Sequence, residues 1–473
     1  MPASRRSGID RALTRDLAAL SLLAALAACG AAAPGPTVID FWAMGREGEA
    51  VQLLLPEFER RHPDLRVRVQ QVPWSAAHEK LLTAFAGDAL PDVFHLGNTW
   101  LPELVALRAL APLDAWLPGS IEVTGQAFFA GLFATQVFDG HAYGLPWYVD
   151  TRLLFYRQDR LAEAGFSAPP RTWAEWVTAM ERIQAQLILP QAGPGSDRRN
   201  AHAIYLPMDE WEPPVILALG LGASLLKDQH RYGNFRDTRF RRALEFYTGI
   251  FDRGLAPALG QSQIANLYQD LARDRFAMFI TGPWNIGELR RRLPAETFAL
   301  WRTAPMPLPE TPAPGLNRLS GANPGVSIAG GASLVVSRRS PHAEAAFRLV
   351  EYLCDGAQQL RFYRATGNLP ARRDAWVAGD LETDPLVAGF WEQMQHLRST
   401  PAIPEWERIA SGIQRATEAL VRHEQTIDEA VTTLDVETDA ILEKRRWLMS
   451  RRGPRAAATP PAGARHGLER GPR

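Results

Sequence analysis

The amino-acid sequence predicts an α/β fold, and three observations carry that prediction. Short β-patterned runs alternate with helical ones from the first ordered segment onward. Hydrophobic residues make up 46% and charged residues 22% of the 473 residues, close to soluble globular proteins and unlike disordered or polytopic membrane chains. No period of about 20 to 50 residues recurs, which excludes solenoids and propellers. At roughly 150 residues per domain the length corresponds to about three domains' worth of chain. Strands alternating with helices imply mainly parallel sheets, which bind ligands in crevices at the carboxyl ends of their strands.

In chain order, residues 1–16 carry Arg5, Arg6, Arg11 and Arg15, and residues 17–28 are apolar except for Ser21. A basic stretch followed by an apolar run shorter than the ~20 residues a membrane-spanning helix needs reads as a signal peptide over 1–28. The run ends Leu26-Ala27-Ala28-Cys29-Gly30. This resembles the bacterial lipobox, in which the Cys thiol receives a diacylglycerol, so lipidation of Cys29 and a membrane anchor are expected; an ordinary signal peptide with an incidental Cys29 is the alternative. Only Cys354 then remains, which excludes an intramolecular disulfide, and its amphipathic helical setting marks it as a small buried apolar residue. Residues 29–36 read as a linker.

Residues 38–42 read as a strand. Val51, Leu54, Leu55 and Phe58 give 49–61 a helical spacing, 65–72 alternates with period two, and 76–86 is helical again. A strand at 91–96 and a helix near 101–108 follow, leaving the loops 43–48 and 97–100 at carboxyl ends of strands. The run 143–150 leads into an apolar strand at 153–156, and Pro146 marks a chain crossing between two bodies. Thr172 and Glu175 form a capping-box pattern at the start of a helix over 171–186. Helices at 215–219 and 239–252, a buried strand at 277–281, a Pro-rich stretch from Pro305, and a strand at 332–336 come next; helices dominate thereafter to Trp447. Residues 448–473 are Arg, Ala, Gly and Pro with little to bury and read as a disordered basic tail.

Lys plus Arg equals Asp plus Glu at 52 each, so no net positive field points to a nucleic acid. Residues 1–28 hold four Arg and two Asp, and residues 445–473 hold eight Arg and one Glu, so residues 29–444 carry 40 basic against 49 acidic groups. Only Lys80, Lys227 and Lys444 are lysines, which leaves little for amine chemistry. The chain has no GxxxxGK[ST] loop, GxGxxG fingerprint, HExxH, CxxC or GxSxG. His78-Glu79 and His423-Glu424 lack a second ligand at helical spacing and read as surface helix residues. No catalytic residue, metal or cofactor is expected. What stands out is fourteen Trp, many beside Gly, Pro or a carboxylate in loops, including Trp42, Trp74, Trp100, Trp147, Trp211, Trp284 and Trp406. Aromatic faces flanked by carboxylates suit the C–H faces and hydroxyl edges of a sugar.

An ordered set of motifs adds a resemblance. Phe41-Trp42, Gly87-Asp88-Ala89-Leu90-Pro91-Asp92-Val93, Gly144-Leu145-Pro146, Leu154-Phe155-Tyr156-Arg157-Gln158-Asp159, Ala164-Gly165-Phe166, Gly282-Pro283-Trp284, Gly330-Gly331 and Gly367-Asn368-Leu369-Pro370 occur in the order seen in family 1 extracellular solute-binding proteins. These are the sugar-binding lipoproteins of ABC importers, similar to maltose- and trehalose-binding proteins. The resemblance spans residues 37–447. It implies a periplasmic-binding-protein type II fold: two α/β lobes, 37–147 with 305–365 and 148–304 with 366–447, joined by a hinge with the ligand in the cleft. It also implies a sugar ligand, permease subunits as partners, a monomer anchored to the membrane by its lipid, and a periplasmic or cell-surface location. The ligand-binding residues it indicates are Arg46 and Glu47 after the first strand, Asn98, Thr99 and Trp100 in a loop without the carboxylate relatives often carry there, Asp150, and Glu210 with Trp211. Trp284 matches the stacking Trp of its motif; Trp42, Trp147, Gly331 and Arg364 complete the set. Asp92 is expected to cap its strand. An exported glycosidase, or a binder of a non-sugar solute such as a polyamine, is the alternative function.

Overall fold

The computed structural model describes residues 35–120, 125–188, 201–264, 266–310 and 325–451. The expected signal segment, Cys29, most of the linker and the chain beyond Arg451 lie outside the described residues. Nine strands build two sheets: β1 (Thr37–Met44), β2 (Leu65–Val72), β3 (Val93–Gly97), β4 (Leu145–Val149), β5 (Leu153–Arg157), β6 (His202–Tyr205), β7 (Phe276–Thr281), β8 (Trp301–Ala304) and β9 (Gly331–Val336). The first sheet has the order β2-β1-β3-β9-β4 and the second β8-β5-β7-β6.

The sheets are less uniformly parallel than the alternation predicts. β1 pairs in parallel with β2 and β3, but β9 runs antiparallel to β3 and β4. In the second sheet β7 pairs in parallel with β6, while β5 runs antiparallel to β7 and β8. Each sheet thus has one reversed strand, and in each it is a strand whose chain has just arrived from the other sheet. The other strands end at the space between the sheets, so a chain entering from that space must run the opposite way.

β4, β5, β7 and β9 are buried along their whole length, as expected of strands covered on both faces. Leu153 and Phe155 of β5 join one core and Leu154 and Tyr156 another, following the period-two alternation of a strand. The single helix predicted over 49–61 is broken into Glu47–Ala50, a 3₁₀ turn at Val51–Leu53, and Leu55–Arg61. Pro56 is the reason: its ring crowds the carbonyl four residues back and it has no N–H to donate, so a helix starts there rather than running through. The predicted capping box is present at the helix Trp173–Ile188: the Glu175 N–H donates to Thr172 Oγ1 (3.1 Å) and the Thr172 N–H donates to Glu175 (3.3 Å). Cys354 is fully buried and free. The last helix, Glu443–Arg451, carries residues 448–451 that were expected to begin the disordered tail. Among the described residues no helix is long and apolar enough to cross a membrane.

The chain passes between the sheets at 150–152 and returns before β9, and these two passages touch backbone to backbone. The Asp150 N–H donates to the Gly330 carbonyl (3.1 Å), and a methyl group on Gly330 would lie 1.8 Å from the Asp150 carbonyl oxygen, so only glycine fits. A third passage follows the helix Gly356–Thr366, where Leu369 accepts a hydrogen bond from the Val149 N–H (2.8 Å). Two α/β lobes are therefore joined by a hinge of adjacent crossing segments, with a cleft between them.

Candidate ligand-binding site

A cavity of about 610 Å³ occupies the cleft. The carboxyl ends of the strands supply most of its wall: Arg46 and Glu47 follow β1, Asn98 to Trp100 follow β3, Asp150 and Arg152 follow β4, Glu210 to Glu212 follow β6, and Trp284 follows β7. This is the position the crevice rule for α/β sheets assigns to a ligand.

Five aromatic residues line it: Trp74, Trp100, Tyr148, Trp211 and Trp284. Trp74 and Trp100 meet edge to face with ring centres 5.5 Å apart, and Trp211 rests edge-on against the buried Trp406 at 5.4 Å. Trp284 opens the helix Trp284–Arg292. Its ring folds back over Gly282, where a methyl group would lie 1.6 Å from it, and the Arg152 guanidinium lies 4.5 Å from its centre. Behind Tyr148, the fully buried His95 accepts the Met44 N–H at Nδ1 (3.0 Å) and places Nε2 3.4 Å from the Tyr148 hydroxyl. Burial lowers His95 to about 3, which keeps the ring neutral.

Carboxylates alternate with these rings. Glu47 accepts hydrogen bonds from the Tyr148 hydroxyl (3.2 Å) and Asn368 Nδ2 (3.0 Å); burial nevertheless holds its carboxyl above the usual range. Arg152 grips Asp150 through Nη1 (2.9 Å) and Glu212 through Nη2 (2.8 Å). Burial raises Asp150 against the pull of Arg152. Glu210 accepts from Gln261, yet its second oxygen is buried without a partner, and burial pushes it up to about 8. Arg46 reaches across to Glu288 on the helix after β7 (3.3 Å).

The structure brings Arg46, Glu47, Asn98, Thr99, Trp100, Asp150, Glu210, Trp211, Trp284 and Gly331 to one cavity. Three expected residues do not line it. Trp147 is fully buried and stacked on Phe362 at 4.3 Å; its neighbour Tyr148 takes the cavity side because adjacent strand residues face opposite ways. Trp42 packs with a first-lobe apolar cluster under the Lys80 ammonium, 4.4 Å from its ring. Arg364 is exposed in the last turn of its helix, and Thr366 and Asn368 reach the cavity instead. Asp92 is structural, accepting the Asp40 N–H (2.9 Å) and the Ser340 hydroxyl (2.5 Å). His78 is not the simple surface residue expected: it is half-buried, 2.8 Å from Glu103 and beside Trp100, and the Glu103 hydrogen bond raises its pKa. Sequence reasoning missed Arg152, Glu212 and Glu407. A signal for Arg152 existed in its spacing of two from Asp150 on a crossing segment.

Two lobes, a hinge of crossing segments and one cleft walled by loops from both lobes define a two-lobed solute-binding protein. Residues 43–359 match the family of bacterial extracellular solute-binding proteins, and the chain belongs to that family. The protein is therefore an exported one. It is similar to the sugar-binding protein MalE of Xanthomonas citri, with 41% identity, coverage of 88% of this chain and 100% of that one, and a TM-score of 0.79. It is also similar to the diacetylchitobiose binding protein DasA of Streptomyces coelicolor, 26% identical over 75% of this chain and 77% of the relative. The maltotriose-binding protein of Pyrococcus abyssi is 20% identical over 85% of this chain and 80% of its own.

Proposed function

We propose that this protein is the extracytoplasmic substrate-binding component of an ABC importer, that it captures a mono- to oligosaccharide in the cleft, and that lobe closure presents the loaded form to the permease. The observation that carries the reading is the wall of the cavity, where aromatic faces alternate with carboxylates supplied from both sheets. A sugar needs both, a flat apolar plate for its C–H face and acceptors for its hydroxyls. Contact with both lobes makes the closed state the one ligand favours, by its differential affinity. The relatives named for the sugars they bind support the same chemistry. Within this reading the working form is a monomer without catalytic activity.

A thermal-shift screen of the chain from residue 30 onward tests it. Mono- and disaccharides, oligosaccharides, polyols, polyamines and amino acids are each added at saturating concentration. A ligand at about 100 times its dissociation constant adds roughly 2.7 kcal/mol to stability, so one or a few related sugars are expected to raise the midpoint while the oligosaccharides come back uncleaved. A shift with polyamines alone would sink the carbohydrate reading, and release of new reducing ends would favour an exported glycosidase.

We further infer that Cys29 carries the lipid anchor, on the strength of the Leu26-Ala27-Ala28-Cys29 pattern. Cys29→Ala is expected to abolish labelling by radioactive palmitate in cells. Labelling that persists in the variant would end the assignment.

A further inference from the structure

We propose that Glu407 is a specificity-determining residue of the sugar site, an acceptor that the second lobe delivers into the first lobe's half of the cleft only when the lobes come together. The proposal rests on the carbohydrate reading above and deepens it.

Glu407 is the second residue of the helix Trp406–Val421. Trp406 beside it is fully buried in the second lobe's core and braced by Trp211, so the start of this helix is firmly seated. Asp and Glu are favoured in a first helical turn by the exposed N–H groups there, which accounts for a carboxylate at this position but not for where it reaches. The side chain crosses to the other lobe. The start of its helix packs against the 3₁₀ turn Asn98–Trp100 that follows β3 in the first lobe, and Glu407 and Thr99 line the same cavity. Glu407 Oε1 lies buried against the cavity with no partner. A buried carboxylate oxygen without a donor costs free energy, and a sugar hydroxyl entering the cavity would supply that donor.

The loop it reaches has a corresponding gap. Residues 97–100 are Gly-Asn-Thr-Trp, and they present a ring and amide and hydroxyl groups but no carboxylate. Nearby, the Asn98 side-chain nitrogen is also buried without a hydrogen-bond partner. The first lobe alone therefore offers this part of a sugar a donor and a stacking plate, and the charged acceptor arrives from the second lobe. An acceptor completed by closure contributes nothing in the open form and its full interaction in the closed one. That differential is what moves a two-state equilibrium.

The experiment compares wild type, Glu407→Gln, Thr99→Val and the double variant by isothermal titration with maltose, trehalose, maltotriose and sucrose, using whichever the wild type binds best. Glu407→Gln is expected to weaken binding about tenfold or more, the scale of a hydrogen bond to a charged group. Thr99→Val should cost less, and the double variant should cost less than the two singles combined, because both line one part of the cavity. A second measurement follows closure directly: a Thr99→Cys, Glu407→Cys chain held with the best-bound sugar at saturation should be joined across the cleft by a short thiol-to-thiol reagent, and more extensively than without sugar. Sugar binding left within twofold by Glu407→Gln overturns this inference alone, as does failure of the cross-link. Wild type that binds none of the sugars overturns the carbohydrate reading and this inference with it.

Discussion

Replacing Arg152 by Met is expected to destabilise the ligand-free protein by about 3–5 kcal/mol at pH 8, the scale on which a buried ion pair loses one partner. The guanidinium is the cation shared by Asp150, on the crossing between β4 and β5, and Glu212, at the start of the helix Glu212–Gly220 in the second lobe. Only 10% of its side chain is exposed, so neither carboxylate would find water in its place. Met keeps an unbranched apolar stem but has no guanidinium, so two carboxylates are left facing each other in a poorly solvated space. Burial already raises Asp150 against the pull of Arg152, and without that cation it would hold its proton still more firmly. Its folded-state pKa then lies above that of the unfolded chain, so the folded variant binds the proton more tightly than its unfolded form and loses stability as pH rises. The deficit against wild type should accordingly be large at pH 8 and narrower at pH 5. Urea unfolding at the two pH values measures both. Equal midpoints for variant and wild type at pH 8 would show that Arg152 does not hold this junction, and Arg152→Lys, which keeps the charge but not the two-pronged geometry, should fall between them.

The elements most legible in the sequence were those whose signal is local. β2 occupies the residues its alternation indicated, 65–72, and the Thr172 to Glu175 capping box formed as its spacing required. What sequence did not reveal was set from a distance. The reversal of β5 and β9 depends on the chain entering each sheet from the cleft, which no propensity records. Strand parity is hidden for a related reason. β4 is buried on both faces, so Leu145 to Val149 shows no polar alternation, and nothing local says that Tyr148 rather than Trp147 faces the ligand space. Glu212 and Glu407 were masked by a different effect: each sits in the first turn of a helix, where acidic residues are favoured by the helix dipole whatever else they do. Their roles emerge only once the opposite lobe is in place.

Replacing Trp284 by Ala is expected to weaken sugar binding between about tenfold and a hundredfold, with a much smaller effect on the ligand-free protein than Arg152→Met. The ring is held from behind. It lies over Gly282, its own helix begins at that residue, and the Arg152 guanidinium covers it at 4.5 Å. A plate held in this way offers its free face to the cavity at little cost in side-chain ordering. Covering a sugar's C–H face recovers roughly 25 cal/mol per Å² of apolar area removed from water, and a well-placed aromatic contact adds about 0.5–1.5 kcal/mol beyond that area. Truncation removes both contributions and frees Arg152 on one side, yet leaves its two ion pairs intact, so the fold should survive. Titration calorimetry gives the affinity and a thermal midpoint without ligand gives the stability. Trp284→Phe should recover part of the loss, since it restores an aromatic face of smaller area. Affinity unchanged in Trp284→Ala would remove the ring from the site. A collapse in the ligand-free midpoint comparable to that of Arg152→Met would instead mean that Trp284 serves the junction beneath it, holding Arg152 in place more than it holds the sugar.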